Sequence, residues 1–582
     1  MQLQTIADGN LSSSTSNISF DLTTDILVIG LGTSGALSAI TAAEMGASVI
    51  GVERTAFLGG MGTAASVYDY YYGTQGGRVI SINEECYKKI NEGKYASSGG
   101  RGFRHESLPA AVKDDILRKH ALEAGCKLLL GTTVVGIFLE DNRVFGAQVF
   151  NGQNIINIGC RVLIDGTDGV ACRLAGCEFE YGRPSDHHTI KFSHMFSTFQ
   201  SGMVRGGWDN YGFPEASSAA EWTRKILDSS PKNHKARYMC EASILGTREV
   251  PTVITDEVYT LSDYAAGKKT NKPLFYAFSK VDNLNSDYEN ETDTLQDWEI
   301  ICKMVRYGIS VGIPIGTMIP KGRDGLMIVS RAKGLGHDLA SCIRMKYDME
   351  KSGEAAGYIA ALACRNNCSV REVDYDDVLP YLAKSGCLNP TQDVQLCDLN
   401  EPCSDTERGL AWREVKMPEE LSEIKRALAS REPGPVMWRL RNRCSHDERE
   451  AIVKWMAEDD RLLAENSAIV LGIRGDKVAL PMLRNILSSP PVAYYFRVQK
   501  IKNIFGWLMD SPFCNYTKAI LLLGRFHDVE SLPMLESICA DGGASAAAIM
   551  SCENGCPSRA VYAKEFAAYA NVAVRKIKGV IE

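Results

Sequence analysis

The sequence predicts an α/β chain in three parts: a doubly wound domain at the front, a mixed segment inserted into it, and an all-α domain at the C-terminal end. Three observations carry this. The β-branched run Asp25 to Gly30 opens onto a glycine turn and a small-residue helix, the start of a parallel βαβ unit. The α/β pattern fades into a polar stretch after about residue 200 and returns at about 310 to 365. From about Glu432 onward the periodicity is helical, and part of it repeats. The boundaries that follow are an N-terminal arm at 1–23, the front domain at 24–190 and 311–390, an inserted domain at 191–310, a connector at 391–434 and the helical domain at 435–582.

The front domain rests on one unit read in register. Gly30, Gly32 and Gly35 form G-x-G-x-x-G directly after the strand, with Thr33 and Ser34 inside the turn. The helix Ala36 to Met45 follows, Gly46-Ala47 ends it, Ser48 to Val52 is a second strand, and Glu53 closes the unit. Each residue type has a reason. Gly30 permits the tight turn, Gly32 lets backbone approach a pyrophosphate, Gly35 allows close helix–strand packing, and the helix N-terminus faces the anion. Glu53 stands where a carboxylate accepts hydrogen bonds from a ribose. A lone glycine fingerprint is a weak signal, but strand, turn, helix, second strand and terminal acid together specify a Rossmann-like dinucleotide site. A second glycine loop, Leu58 to Thr63 (LGGMGT), follows Glu53-Arg54, and the chain has no second G-x-G-x-x-G and no Cys-x-x-Cys.

The connector begins in a stretch rich in Pro, Asp and Cys, Asn389 to Asp405, which reads as linker. In the helical domain, Leu471 to Leu483 (LGIRGDKVALPML) matches Leu523 to Leu535 (LGRFHDVESLPML) at a spacing of 52 residues. In both copies an apolar helix ends at Gly, an Asp sits in the turn and a Pro opens the next helix. This resembles the paired helices of HEAT-like repeats; the alternative is an all-α cap with two similar hairpins.

Composition narrows the partners. At 582 residues the chain exceeds the ~250 to 300 at which one core stops growing, so several domains are expected. With 45% hydrophobic and 23% charged residues, disorder and collagen are excluded. A net charge of -7 with scattered Lys and Arg argues against nucleic acid. The 18 cysteines follow no disulfide framework in a chain this large, which fits a reducing compartment. Met1 to Asn17 has neither a basic n-region nor an apolar h-region, and no apolar run approaches ~18 residues, so a soluble cytoplasmic protein without membrane partners is expected.

Several further blocks resemble the FAD-dependent oxidoreductases related to fumarate reductase and succinate dehydrogenase flavoproteins, over roughly residues 24 to 390. Leu108 to Leu130 resembles that family's helix leading into a strand, Gly131 to Val149 its hairpin, and Arg161 to Gly176 its strand ending in Asp165-Gly166-Thr167-Asp168. Ile313 to Ala363 resembles its return to the FAD domain, and Gly246 to Val250 (GTREV) a segment of its substrate region. The resemblance implies FAD, bound non-covalently because no histidine stands around Gly59 to Ala65. It implies that Arg54, Gly59, Gly60, Met61 and Thr63 guide the pyrophosphate and ribityl chain, and that backbone at Val134 and Val135 meets adenine. Arg331 would lie near the phosphates or ribityl chain, and Asp165, Gly166, Thr167 and Asp168 would take part in binding the cofactor. Gly353 to Gly357 (GEAAG) would form a helix aiming its N-terminus at the flavin N1–C2=O region.

The expected activity is hydride exchange between a small-molecule substrate and flavin N5. His337 would act as acid–base and Arg344 as clamp on a carboxylate or carbonyl, both lying between the last FAD strand and the GEAAG helix. Arg248, in the GTREV block, would hold an anionic substrate. Electrons would pass to or from a transiently docking partner, with the C-terminal helical domain as a docking surface for protein. Two alternatives stand beside this: a flavin-containing binding or scaffold protein, and a fumarate-reductase-like alkene reductase. No metal is expected, since adjacent His187 and His188 point to opposite strand faces and His194 lies beyond them. The C-x3-C pairs Cys364/Cys368 and Cys552/Cys556 read as helix packing. Tyr68, Tyr70, Tyr71 and Tyr72 line a pocket or form a buried wall, while Lys191, Arg205 and Lys321 read as solvated surface.

Overall fold

The strand signals at the front assemble into one nine-stranded sheet. Its members are β1 (Gln2–Ala7), β2 (Asn10–Thr15), β3 (Leu22–Ile29), β4 (Val49–Glu53), β5 (Lys127–Leu130), β6 (Thr133–Glu140), β7 (Arg143–Phe150), β8 (Ile155–Asp165) and the strand Leu326–Ile328. The order is β2-β1-β6-β7-β8-β3-β4-β5. Besides β3, β8 is long enough to serve two further neighbours: Ile155–Gly159 pairs antiparallel with β7, and Leu163–Asp165 pairs parallel with Leu326–Ile328. β3 reads as a continuous apolar run because Ile26, Leu27, Val28 and Ile29 are buried between parallel neighbours β4 and β8. The computed structural model describes the chain apart from residues 8, 16–17, 71, 93–107, 185, 201–202, 230–236, 282–291, 305–307, 393–417, 495–496, 503–507, 511–512, 553–558 and 581–582. Tyr71, Cys556, connector residues 393–405 and the side chains of Arg205 and Cys552 lie outside the described residues.

The topology fixes the site. After β3 the chain forms α1 (Thr33–Glu44) and returns as β4 on one side, whereas β8 lies on the other side of β3. The carboxyl ends of β3 and β8 therefore flank a topological switch point, where open α/β sheets bind ligands. α2 (Val79–Asn91) and α3 (Ala110–Glu123) precede β5, and α1 packs against the long helix Lys346–Asn366.

That long helix corrects one expectation. It starts at Lys346, so GEAAG lies two turns inside it and supplies close packing instead of the N-terminus. A Cβ built on Gly353 would stand 1.9 Å from Ser34 O, and one on Gly357 2.4 Å from Ser38 O, so the two helices touch backbone to backbone. The N-terminal arm is also more than an arm: β1 and β2 form a hairpin, and β1 extends the sheet by pairing antiparallel with β6.

Two compact units emerge, one of residues 1–264, 268–284 and 308–393, the other of 265–267, 285–307 and 394–582. The inserted region expected as a domain at 191–310 is thus divided. Its strands Phe192–Gln200, Met203–Tyr211 and Arg237–Glu241, and the pair Pro273–Lys280 and Gly308–Pro314, belong to the first unit, while 285–307 belongs to the second.

In the second unit Asp293–Gln296 and Asp297–Ile301 form a helical core element. Trp298 is fully buried and meets Trp438 edge-on at 4.7 Å between ring centroids. Asp297, 1% exposed, accepts from Arg441 Nε and from Arg525 Nη1, both at 2.6 Å. The helical part begins at Leu421–Leu428, earlier than the expected 435. Both copies of the repeat adopt one form: helix Arg461–Ile473, 3₁₀ turn Lys477–Ala479, helix Leu480–Ser488, and helix Asn515–Arg525, 3₁₀ turn Val529–Ser531, helix Leu532–Ala540. The unit is not all-α. Pro490-Pro491 stops a helix, and the β-branched and aromatic run after it supplies Val492–Tyr494, which pairs with Phe513–Cys514 and Ser551–Cys552.

Candidate functional site

Three glycines at the switch point pack against one another. Gly30 has φ +84°, and its Cβ would come 2.8 Å from Thr167 N; a Cβ on Gly35 would strike Gly30 O at 1.9 Å, and one on Gly166 the same atom at 2.2 Å. Gly32 differs. Its φ is −69° and an added Cβ would meet nothing closer than Gly166 O at 3.7 Å, so it faces open space at the start of α1. No side chain caps that helix, which leaves first-turn N–H groups for an anion. Thr33 and Ser34 supply the first turn, Thr33 Oγ1 donating to Gly59 O at 3.2 Å and Ser34 O receiving the contact from Gly353. Gly32→Val should therefore fold with a near wild-type melting temperature yet lose FAD, read as absorbance near 450 nm after purification, because the new side chain fills the pyrophosphate space.

Glu53 ends β4 beside this turn, 8% exposed, accepting from Leu31 N–H at 2.9 Å and Thr55 N–H at 2.8 Å. Two bonds leave carboxylate lone pairs for ribose hydroxyls. Arg54 points to solvent. Val134 and Val135 enter alongside, since Thr132 N–H donates to Glu53 O at 3.0 Å, and Val135 has no partner in the β6–β7 register, where a bulge interrupts the ladder. The second glycine loop packs on the first: Gly59 N–H donates to Leu31 O at 2.9 Å and a Cβ on Gly60 would come 2.9 Å from Gly32 Cα. Thr63 Oγ1 donates to Leu58 O at 2.5 Å, and Met61 lies half-exposed on the turn Gly60–Gly62. Uncapped helix, open glycine and ribose acid in one crevice fit the adenosine-pyrophosphate half of FAD.

The residues after β8 divide by role. Asp165 is fully buried and accepts from Thr167 N–H and Cys172 N–H, both at 2.9 Å, so it shapes the Gly166-Thr167 turn. Burial raises its pKa while those bonds work in the opposite direction. Asp168 is exposed enough to meet ligand, but it pairs with Arg331 at 2.7 Å, and Arg331 also donates to Thr247 Oγ1 at 2.7 Å. Gly353 is held against α1 and supports the cradle from behind.

His337 opens the short helix His337–Ala340, and its Nδ1 lies 2.6 Å from Glu249 Oε1. Glu249 in turn accepts from Ile190 N–H at 2.8 Å. Burial opposes charge on the imidazole, but the Glu249 carboxylate outweighs it and lifts the pKa of His337 to about 9. Glu249 stands in the GTREV block yet was not among the residues expected to act, because only the fold reveals that it meets His337. Arg248, the neighbour that was expected, donates to Lys191 O at 2.8 Å, Ser193 Oγ at 2.7 Å and Asn210 Oδ1 at 2.9 Å. Its guanidinium ties the inserted strands together. Arg344 is half-buried two residues before Lys346. The other histidines face separate partners: His187 Nδ1 lies 3.2 Å from Tyr181 O and His194 Nε2 3.2 Å from Glu241. Tyr70 and Tyr72 are buried, the wall that was one of two expectations.

The family model described as FAD dependent oxidoreductase matches residues 25–240 and 215–382. Among curated proteins, digeranylgeranylglycerophospholipid reductase of Methanosarcina acetivorans is 28% identical over 164 residues, 26% of this chain and 39% of that protein. The same enzyme of Methanosarcina mazei is 26% identical over 175 residues, again 26% of this chain and 39% of its own length. The chain thus spans about two fifths of the length of the curated relatives it matches. Among solved structures, a geranylgeranyl bacteriochlorophyll reductase-like protein of Thermoplasma acidophilum is 15% identical, covering 80% of this chain and 99% of that one, with a TM-score of 0.32. The open conformation of a flavocytochrome c3 fumarate reductase is 19% identical over 25% of this chain and 34% of that one, with a TM-score of 0.18. Among the described residues no helix is long and apolar enough to cross a membrane.

Proposed function

The chain belongs to the FAD dependent oxidoreductase family, and on that premise we propose that it exchanges hydride between a small-molecule substrate and flavin N5, with the His337–Glu249 pair moving the accompanying proton. FAD supplies the two-electron chemistry, and its binding is non-covalent. The observation that carries the reading is the 2.6 Å His337–Glu249 contact, on the segment that follows the last strand of the switch-point sheet. Glu249 holds the Nδ1 side of the ring and Ile190 N–H fixes Glu249, which leaves Nε2, without a hydrogen bond among the described residues, to hold or pass the proton. Arg344 orients a carboxylate or carbonyl of the substrate. Gly32, Gly60 and Glu53 bind the adenosine half, while Asp165 and Gly353 shape its cradle.

A second reading is favoured by the charge on His337. An imidazolium with pKa about 9 donates a proton at neutral pH, which suits protonation of a carbon as a C=C bond is reduced. The paired hairpins, read as HEAT-like, are the surface proposed for a protein that delivers or removes electrons. The described free thiols, Cys86, Cys126 and Cys160 among them, suit a reducing cytoplasm.

The experiment is anaerobic. Purified protein should be yellow and release FAD on denaturation, and its flavin should bleach with a hydride donor or, once photoreduced, recover colour with an activated alkene. An FAD-loaded protein whose flavin responds to no member of either panel would overturn the proposal.

A further inference from the structure

Two lysines stand at one end of the helix Lys346–Asn366, Lys346 half-buried and Lys333 buried. Lys346 is its first residue, and its Nζ donates to Val67 O at 2.7 Å and Tyr68 O at 2.9 Å and lies 4.0 Å from the centre of the Tyr70 ring. The same side chain borders the second glycine loop: a Cβ built on Gly62 would come 3.6 Å from Lys346 Cδ and 3.9 Å from Nζ. Lys333, 1% exposed, comes from the loop after Leu326–Ile328, and among the described residues its Nζ meets the Met349 thioether, at 3.6 Å on the first turns of the helix. A thioether is a weak acceptor for an ammonium with three N–H groups. Two of the nearby carboxylates have further partners of their own. Asp348 accepts from Thr74 N–H and Phe278 N–H, both at 2.9 Å, and faces Lys351 at 3.7 Å; Glu350 accepts from Tyr70 OH at 2.8 Å and pairs with Lys113 at 3.1 Å. Burial pushes Lys333 and Lys346 each down to about 7, outweighing the pull of Asp348 on the first and of Glu350 and Asp69 on the second.

Their place along the cofactor path follows from the glycines. Glu53 marks the ribose and Gly32 the pyrophosphate. Gly60 presses on Gly32, so the two loops form one wall, and following that wall away from Glu53 leads from Gly60 to Gly62 and so to Lys346. The helix beginning there adds partial positive charge from its first N–H groups.

We propose that Lys346, supported by Lys333, forms an electropositive seat for the isoalloxazine end of FAD and stabilises the negative charge the ring gains on two-electron reduction. This rests on the reading that FAD lies in the switch-point cradle. The seat raises the flavin potential, so that reduction is confined to acceptors of higher potential, such as a C=C bond conjugated with a carbonyl.

The test compares FAD-loaded wild type, Lys346→Met, Lys346→Arg and Lys333→Met. The two-electron potential is measured against reference dyes, and sulfite, which adds through sulfur to flavin N5 and leaves negative charge on the ring, is titrated as probe. Lys346→Met is expected to weaken sulfite binding at least about tenfold and to lower the potential by at least about 30 mV, the tenfold equivalent for a two-electron couple. Lys333→Met should shift both in the same direction by less, and Lys346→Arg should restore both. Unchanged potential and sulfite affinity in loaded Lys346→Met, with only FAD content or melting temperature reduced, would overturn the proposal. Should Lys346→Met retain no FAD, Lys333→Met decides by the same two readouts. Wild-type protein unable to hold FAD would instead sink the cofactor placement.

Discussion

His337→Ala should keep FAD and its visible spectrum while slowing exchange between flavin and substrate at least about 100-fold, the lower bound of the roughly 10²- to 10⁴-fold that losing a general acid–base costs. The side chain makes no contact that the glycine cradle needs, so binding and chemistry separate cleanly. Glu249→Gln should fall between wild type and His337→Ala, since a neutral amide still orients the ring but no longer favours its charge. Stability gives an independent check. The folded pKa of about 9 lies above the ordinary 6.5, so the stabilisation by this pair is fully present below about pH 6.5 and is lost as pH rises through about 9. A shift of that size corresponds to roughly 3 kcal/mol. The wild-type melting temperature should therefore drop across that window, and the drop should be absent in His337→Ala. Near wild-type flavin exchange in His337→Ala would remove the assignment and turn attention to His187, His188 and Tyr70.

A chain ended at residue 430 should be insoluble or absent, because the segment 285–307 depends on partners that come later. Asp297 would lose Arg441 and Arg525 together with the helices that bury it, and with them the ion pairs that fix its segment. Trp298 would lose Trp438, and a comparable loss of buried aromatic packing costs about 3 to 5 kcal/mol. That loss is a large fraction of the whole stability of a typical domain, about 5 to 15 kcal/mol. Asp297→Asn in the full chain should be milder and remain soluble. Soluble, FAD-loaded protein ending at 430 would show that 285–307 does not need the C-terminal helices.

What the sequence made legible was local. Gly30, Gly32, Gly35 and Glu53 were readable because the sterics of one turn dictate them. Gly353 was misplaced because nothing distinctive caps the helix at Met345, so its start could not be read and a packing glycine passed for a terminal one. The first hairpin could have been found, since Asp8-Gly9-Asn10 sits between two alternating runs, a hairpin turn signature. Glu249 and the lysines were beyond reach: Glu249 meets His337 across 88 positions, and an ionisable residue in a loop does not announce what will face it. Arg248 shows the converse, a residue expected at the substrate whose Nη groups also meet Lys191 O, Ser193 Oγ and Asn210 Oδ1, partners that the sequence does not announce.

The divided chain also sets an order of events during synthesis. Asp297 and Trp298 leave the ribosome well before Arg441 and Arg525, and at ~5 to 20 residues per second the wait for Arg525 is on the order of ten seconds or more. Throughout it, an apolar indole and an uncompensated carboxylate are presented to the cell on a nascent chain. Slow codons before Trp438 would lengthen that exposure and fast ones would shorten it, so the yield of this enzyme should respond to translation speed and to chaperones that shield exposed aromatic segments.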